Sequence, residues 1–261
     1  MRRSLAAATV TGTLVALGAC GSDNSDPAAS TVAGEAPSST YEVDPANFAH
    51  PVENPYFPLK PGTTRRYRGA DEGRQAFEVF SVTSKTKTIQ GVETRVITDR
   101  LYEDGKLHES TEDWYVPDRE GTVWYFGEAT MTIGSNGKPN GTSGSWEAGV
   151  DGAEAGIFMP AKPKVGQAFR QEFYKGEAED SGRVLSTDEL AQVPAGKYRD
   201  ALLTKDFTPL EPDVLEYKLY VKGVGPVLTL TASGGAGREE LLTVDQITGS
   251  DGTGPLGHPN P

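Results

Sequence analysis

Cysteine and histidine are nearly absent from this chain, which has one Cys and three His among 261 residues. A lone Cys20 can form no internal disulfide, and so few soft ligands exclude a zinc cluster. His50 and His258 sit in Pro- and Gly-rich stretches near the two ends, which leaves His108 to serve a Ser-His-Asp arrangement. No Gly-x-Ser-x-Gly elbow accompanies it, since Gly141-Thr142-Ser143-Gly144-Ser145 fails at its fifth position. A phosphate-cradling Gly-x-x-x-x-Gly-Lys-Ser/Thr is missing, and Gly235-Ala236-Gly237 opens no helical pattern. The spacing Asp-x-Asp-x-Asp-Gly of a calcium loop does not occur either. No cofactor and no metal site are expected.

Basic charge is also in deficit. There are 25 Lys and Arg against 37 Asp and Glu, a net charge of −12. That balance disfavours nucleic acid and docking on anionic headgroups. Long apolar runs are scarce as well. The main one, residues 5–19, reaches about 22 Å as a helix, short of the ~30 Å hydrocarbon core of a bilayer. Preceded by Met1-Arg2-Arg3 and ending in small residues, it has the pattern of a secretory signal. Arg2-Arg3 resembles the start of a twin-arginine signal, but the rest of that motif is missing and Sec export is the expectation.

Leu17-Gly18-Ala19-Cys20 resembles the bacterial lipobox. The resemblance implies that Cys20 is diacylated and becomes the mature N-terminus. Two acyl chains, at about 0.8 kcal/mol per buried methylene, hold where one would exchange. The expected division is a signal over 1–19, a disordered tether over 20–51, one β-rich domain over 52–249 and a disordered tail over 250–261. The tether is rich in Ser, Asp, Ala, Pro and Gly and cannot bury enough surface to offset its ordering entropy. The expected location is the extracytoplasmic face of the cell membrane, with the membrane itself as a partner through Cys20.

Between the ends, nearly every periodic segment reads as strand. Residues 77–83 and 92–98 are β-branched and aromatic, and Asp104-Gly105 is a two-residue turn signal. That turn would set Arg100 against Glu109, Tyr102 against Leu107 and Arg95 against Trp114. Further strands are expected over 122–133, 168–174, 176–186, 198–206, 214–222, 227–231 and 239–248, with residues 187–192 the one candidate helical turn. Gly or Pro stands in nearly every connection. The expected fold is all-β, an antiparallel meander of about ten to twelve strands curled into a half-barrel, a barrel or a two-layer sheet.

The chain's three tryptophans lie in one stretch, 112–161, where Trp114-Tyr115 and Trp124-Tyr125 flank Pro117-Asp118-Arg119-Glu120-Gly121. This predicts a hairpin with the two doublets close across it. Asn54-Pro55-Tyr56-Phe57-Pro58-Leu59-Lys60-Pro61-Gly62, the hairpin, and Gly144-Ser145-Trp146-Glu147-Ala148-Gly149-Val150-Asp151-Gly152 resemble a group of uncharacterised bacterial exported β-rich lipoproteins. The resemblance implies fold class and export, and carries no activity.

The candidate ligand-binding residues are Trp114, Trp124, Tyr125, Trp146, Glu147 and Asp151. Aromatic rings and carboxylates on loops of a rigid sheet are where binding sites sit. The plainer account is that Trp146 plugs one end of the sheet and the carboxylates are solvated. Glu177 and Glu179 should share one face of a strand and Asp180 the other. Two functions from different classes follow. One is a non-catalytic binding or scaffold lipoprotein for an apolar molecule, a glycan or a partner protein. The alternative is an envelope hydrolase using carboxylates of the Trp146 loop, with Asp113, Asp118 or Glu128 available as partners.

Overall fold

The computed structural model describes residue 37 and residues 40–71 and 74–246. The expected signal segment, Cys20, most of the tether and the tail lie outside the described residues. The fold is all-β, with fifteen strands in one antiparallel sheet among the described residues. In order they are β1 (Thr63–Asp71), β2 (Arg74–Ile89), β3 (Val92–Glu103), β4 (Lys106–Pro117), β5 (Val123–Ile133), β6 (Pro139–Gly141), β7 (Trp146–Glu147) and β8 (Glu154–Met159). There follow β9 (Ala168–Arg170), β10 (Glu172–Phe173), β11 (Ser181–Val193), β12 (Gly196–Phe207), β13 (Leu215–Val221), β14 (Gly225–Ser233) and β15 (Arg238–Gln246).

Neighbours run β10-β8-β5-β4-β3-β2-β1-β15-β14-β13-β12-β11-β9, with β6 and β7 also paired to β5. The path is open, yet its two ends, β9 and β10, are separated along the chain by Gln171 alone. One segment therefore holds both edges, through β11 on one side and β8 on the other. Two glycines make this seam possible. A Cβ on Gly156 would lie 2.1 Å from the Gln171 carbonyl oxygen, and one on Gly182 would lie 2.7 Å from the Phe169 ring.

A single curled sheet encloses space that its own chain must fill. Here residues 54–59, just ahead of β1, do so. Phe57 packs 4.4 Å from Phe158, 5.3 Å from Tyr115 and 5.8 Å from Phe80 between ring centroids. Asn54 fixes its entry: Nδ2 donates to the carbonyls of Gly121 and Pro160, and Oδ1 accepts from the amides of Tyr56 and Phe57. Arg65, fully buried, donates from Nε to Val224 O and from Nη2 to Pro58 O.

Several expectations are corrected. The count rises from ten to twelve to fifteen because β1, the short β6 and β7, and β8 went unread, and 168–174 is split at Gln171. Residues 187–192 belong to β11, which carries register shifts between Ser186 and Ala191 in place of a helical turn. Residues 174–178 form a turn closed by a Tyr174–Ala178 bridge, so Glu177 and Glu179 share no strand face. Within the stretch expected as tether, Tyr41 and Phe48 pack edge-on against Trp124 at 5.9 and 5.6 Å, and Pro45–Phe48 forms a 3-10 turn capped by Asp44. Two aromatics in a polar stretch were enough to dock it.

Replacing Asn54 with Ala should lower the unfolding free energy by about 2–4 kcal/mol, since buried backbone groups are left unpaired at roughly 1–3 kcal/mol each. Gly156→Ala should cost at least as much by forcing the seam apart. Urea denaturation measures both, and midpoints equal to wild type would show that neither the bracket nor the seam holds the sheet.

Candidate functional site

The β3–β4 hairpin begins as its turn chemistry dictates. Asp104 and Gly105 take φ of 48° and 75°, and Glu103 faces Lys106 and Tyr102 faces Leu107. A register shift between Leu101 and Tyr102 then moves the remaining pairs by one, so Arg100 faces Ser110 and Arg95 faces Tyr115. Trp114 consequently lies opposite Val96. A second shift puts Tyr115 against Tyr125 and Val116 against Trp124, so the two tryptophans do not pair. The Tyr rings stack at 4.3 Å with 14° between planes.

Alternation along β4 sends Glu112 and Trp114 to one face and Asp113 and Tyr115 to the other. On the first face is a groove of about 720 Å³, lined among others by Lys85, Lys87, Glu112, Trp114, Ser145 and Glu147. Lys87 Nζ stands 3.4 Å from the centre of the Trp114 ring and donates to Glu147 Oε2 at 2.8 Å. The ammonium is thus held by a π-face and a carboxylate together. Trp114 is 4% exposed, and among the described residues its indole N–H meets no acceptor. Strand β7 closes one side of the groove against Gly127 and Glu128 of β5. Only glycine fits at position 127, where φ is 129° and a Cβ would fall 2.2 Å from the Trp146 carbonyl oxygen.

On the opposite face carboxylates gather around Tyr125. Its hydroxyl lies 2.8 Å from Asp113 Oδ1 and 2.7 Å from Glu128 Oε2. A hydroxyl has one proton to give, so one of these two contacts requires a protonated carboxyl as donor. Burial raises Glu128 above the usual carboxylate range and, aided by Asp113 and Glu128, pushes Tyr125 well above its ordinary value. Next to them the Trp146 indole donates to Glu172 Oε2 at 3.0 Å. Burial, with the charges of Asp180 and Glu128 adding, pushes Glu172 up to about 8. Farther round the sheet, buried Lys218 pairs with Asp206 at 2.8 Å and Glu216 at 3.4 Å. Among the described residues no three His, Cys, Asp or Glu side chains group as a metal site.

The candidates from the sequence thus separate. Trp114, Trp146 and Glu147 meet at the groove, although Trp146 turns its indole N–H inward to Glu172. Tyr125 lies fully buried on the other face. Trp124 stands apart, donating to Asp118 Oδ2 at 3.1 Å, and Asp118 otherwise accepts from the amides of its own turn. Asp151 occupies a turn at φ of 51°, exposed and away from the groove. Glu154 pairs with Arg170 at the seam. Sequence reasoning missed Lys87 and Glu172. Alternation in Lys85-Thr86-Lys87 signals two ammonium groups on one face, but nothing local to either residue reveals what they meet.

No family model matches the chain, and no curated protein does. Two solved structures resemble it. One is from Bacteroides fragilis, described as an exported protein with a YmcC-like fold, at 15% identity over 73% of this chain and 99% of that one, TM-score 0.44. The other is from Parabacteroides distasonis, described as a lipoprotein, at 10% identity over 74% of this chain and 100% of that one, TM-score 0.38.

Glu172 generates a pH prediction. Its folded value of about 8 lies above the ordinary 4.5, so the neutral form stabilises the fold. That contribution is full below about pH 4.5 and is lost as pH rises through about 8. Glu172→Gln, always neutral, should gain on wild type between pH 5 and 9 by at least ~1 kcal/mol, the worth of one pKa unit. Parallel pH profiles of unfolding free energy for the two proteins would refute it.

Proposed function

We propose that this protein is a membrane-tethered cell-envelope lipoprotein that binds a ligand without chemistry in the Trp114 groove. Export rests on the signal pattern of residues 1–19. Anchoring rests on Cys20, the chain's one cysteine, placed after Leu17-Gly18-Ala19. Binding is carried by one observation: Trp114, buried yet lining a groove, has an indole N–H with no acceptor among the described residues and a ring face capped by Lys87, which Glu147 holds in turn. A groove of about 720 Å³ lies within the ~300–1,000 Å³ that small-molecule sites occupy.

The hydrolase reading used carboxylates of the Trp146 loop, Glu147 and Asp151, with Asp113, Asp118 or Glu128 as partners. Asp113 and Glu128 bond the Tyr125 hydroxyl on the opposite face, and Asp118 accepts from its own turn and Trp124. Glu147 is neutralised by Lys87, and Asp151 does not line the groove. No observation favours that reading.

Native mass spectrometry of protein purified from its own membrane should show a bound small molecule, and Trp114→Ala should lose it. An adduct retained by the variant places the ligand elsewhere, and no adduct on either protein removes the binding role. Separately, Cys20→Ser should leave an uncleaved precursor or a protein that partitions into the aqueous phase of a detergent extraction. Unchanged partitioning would exclude the lipid anchor.

A further inference from the structure

We infer that the groove takes an organic ammonium ion, and that the Lys87 side chain holds that ion's place while the groove is empty. This rests on the reading of the groove as a binding site and adds the class of ligand.

The first observation is what already stands there. Lys87 Nζ lies 3.4 Å from the centre of the Trp114 ring and 2.8 Å from Glu147 Oε2. A π-face and a carboxylate that converge on one point make a place for a positive charge, the chemistry by which aromatic sites take up ammonium ligands. The present occupant is a long side chain that is 35% exposed. Its ammonium can therefore turn out to water and leave the ring face and Glu147 to a ligand, at the modest cost of an exposed ion pair.

The second is that two departures from regular strand build the place. Strand β2 shifts register between Val82 and Thr86. The bulge is held by Thr83 Oγ1, which donates to Val96 O and accepts from Lys85 N, and by Arg95 Nη1, which donates to Ser84 O. Bulges re-aim the side chains beside them. Beyond this one Lys87 lies opposite Thr94, and alternation from Thr94 to Val96, opposite Trp114, sets all four on the groove's face. At the other wall Glu147 lies opposite Gly127, where the missing Cβ lets the β7 backbone come close. The ammonium and its carboxylate come from positions sixty residues apart, each delivered by its own irregularity.

The third is charge. Glu112, exposed two residues before Trp114, also lines the groove, and among the described residues no cation pairs with it. Once Lys87 turns away, Glu112 and Glu147 are both available to a cation, with Lys85 the opposing charge. Glu128 takes no part, because its carboxyl is engaged with the Tyr125 hydroxyl. The net charge of −12 on the whole chain draws cations toward the surface and repels anions.

The test titrates the full chain, purified in a non-ionic detergent, with choline and with the alcohol in which a carbon replaces the choline nitrogen. The two share a shape and differ in charge, and calorimetry with tryptophan fluorescence reads binding. Choline should bind saturably and at least ~tenfold more tightly than the neutral isostere. Lys87→Ala removes the resident ammonium and should tighten choline roughly three- to thirtyfold, the worth of an exposed ion pair and an exposed cation–π contact together. Adding Glu147→Gln to that variant should reverse most of the gain, and Trp114→Leu should abolish binding. Thermal midpoints near wild type establish that each variant folds. Lys87 and Glu147 are half-buried at most, so their variants carry the test even if Trp114→Leu does not fold. Equal affinity for the isostere, no tightening in Lys87→Ala, or no saturable binding of choline overturns the inference. If the adduct from the native membrane still depends on Trp114 after such a result, the groove keeps its binding role for another class of ligand. If the adduct does not depend on Trp114, both fall.

Discussion

The structure depends on a segment that is not a strand. Fifteen strands in one sheet leave an enclosed face that no helix covers among the described residues, and the chain closes it with residues 54–59. The ring of Phe57 supplies apolar area there, and Asn54 supplies direction by using both ends of its amide on four backbone groups. Arg65 is the odd member, a guanidinium fully buried against carbonyls and the Phe80 ring. Burial lowers its pKa from the ordinary value. A carbonyl cage satisfies part of such a charge at less desolvation cost than a second buried ion would add. Pro58 of the 54–59 segment and Val224 between β13 and β14 both accept from it, so one side chain of β1 ties that segment to the β13–β14 turn.

The two faces of β4 answer to different physics. Toward Phe57, Asp113 and Tyr115 sit in a space where charge is expensive, and the contacts of Tyr125 are satisfied only if a carboxyl keeps its proton. Away from it, Glu112 and Trp114 border an open groove in which paired ions are inexpensive. Trp146 ties the faces together: its backbone pairs with Glu128 at the groove while its indole reaches Glu172 at the seam. Distortion of the seam would therefore be felt at the groove through a single side chain.

Much of this was legible from residue order. The lack of α-helix among the described residues, the Asp-Gly turn and the hairpin over 112–133 follow from local chemistry that the fold left in place. The register did not survive, because shifts at Leu101/Tyr102 and Asp113/Tyr115 move every subsequent pair and leave no mark in composition. Strand β1 carries Arg65, Arg66 and Arg68, whose charge masks the apolar alternation of a strand although Arg65 is buried. The groove was legible in part: aromatic and acidic residues of one loop pointed to it, but its second wall comes from Lys85 and Lys87, more than fifty positions earlier. Partners brought together by a sheet of this width cannot be paired by spacing.

Trp124 shows how two residues of like sequence context meet different surroundings. It shares the doublet pattern of Trp114 and lies on the same hairpin, yet it is consumed by structure. Tyr41 and Phe48 cover its ring, and Asp118 takes its N–H. Its donor is met and its ring is met edge-on by two others. Trp114 differs in a respect that composition does not encode: among the described residues its indole N–H has no acceptor, and its ring lines the groove under Lys87. Polar groups in a folded interior are satisfied almost without exception, so such a donor marks surroundings that the doublet pattern cannot reveal.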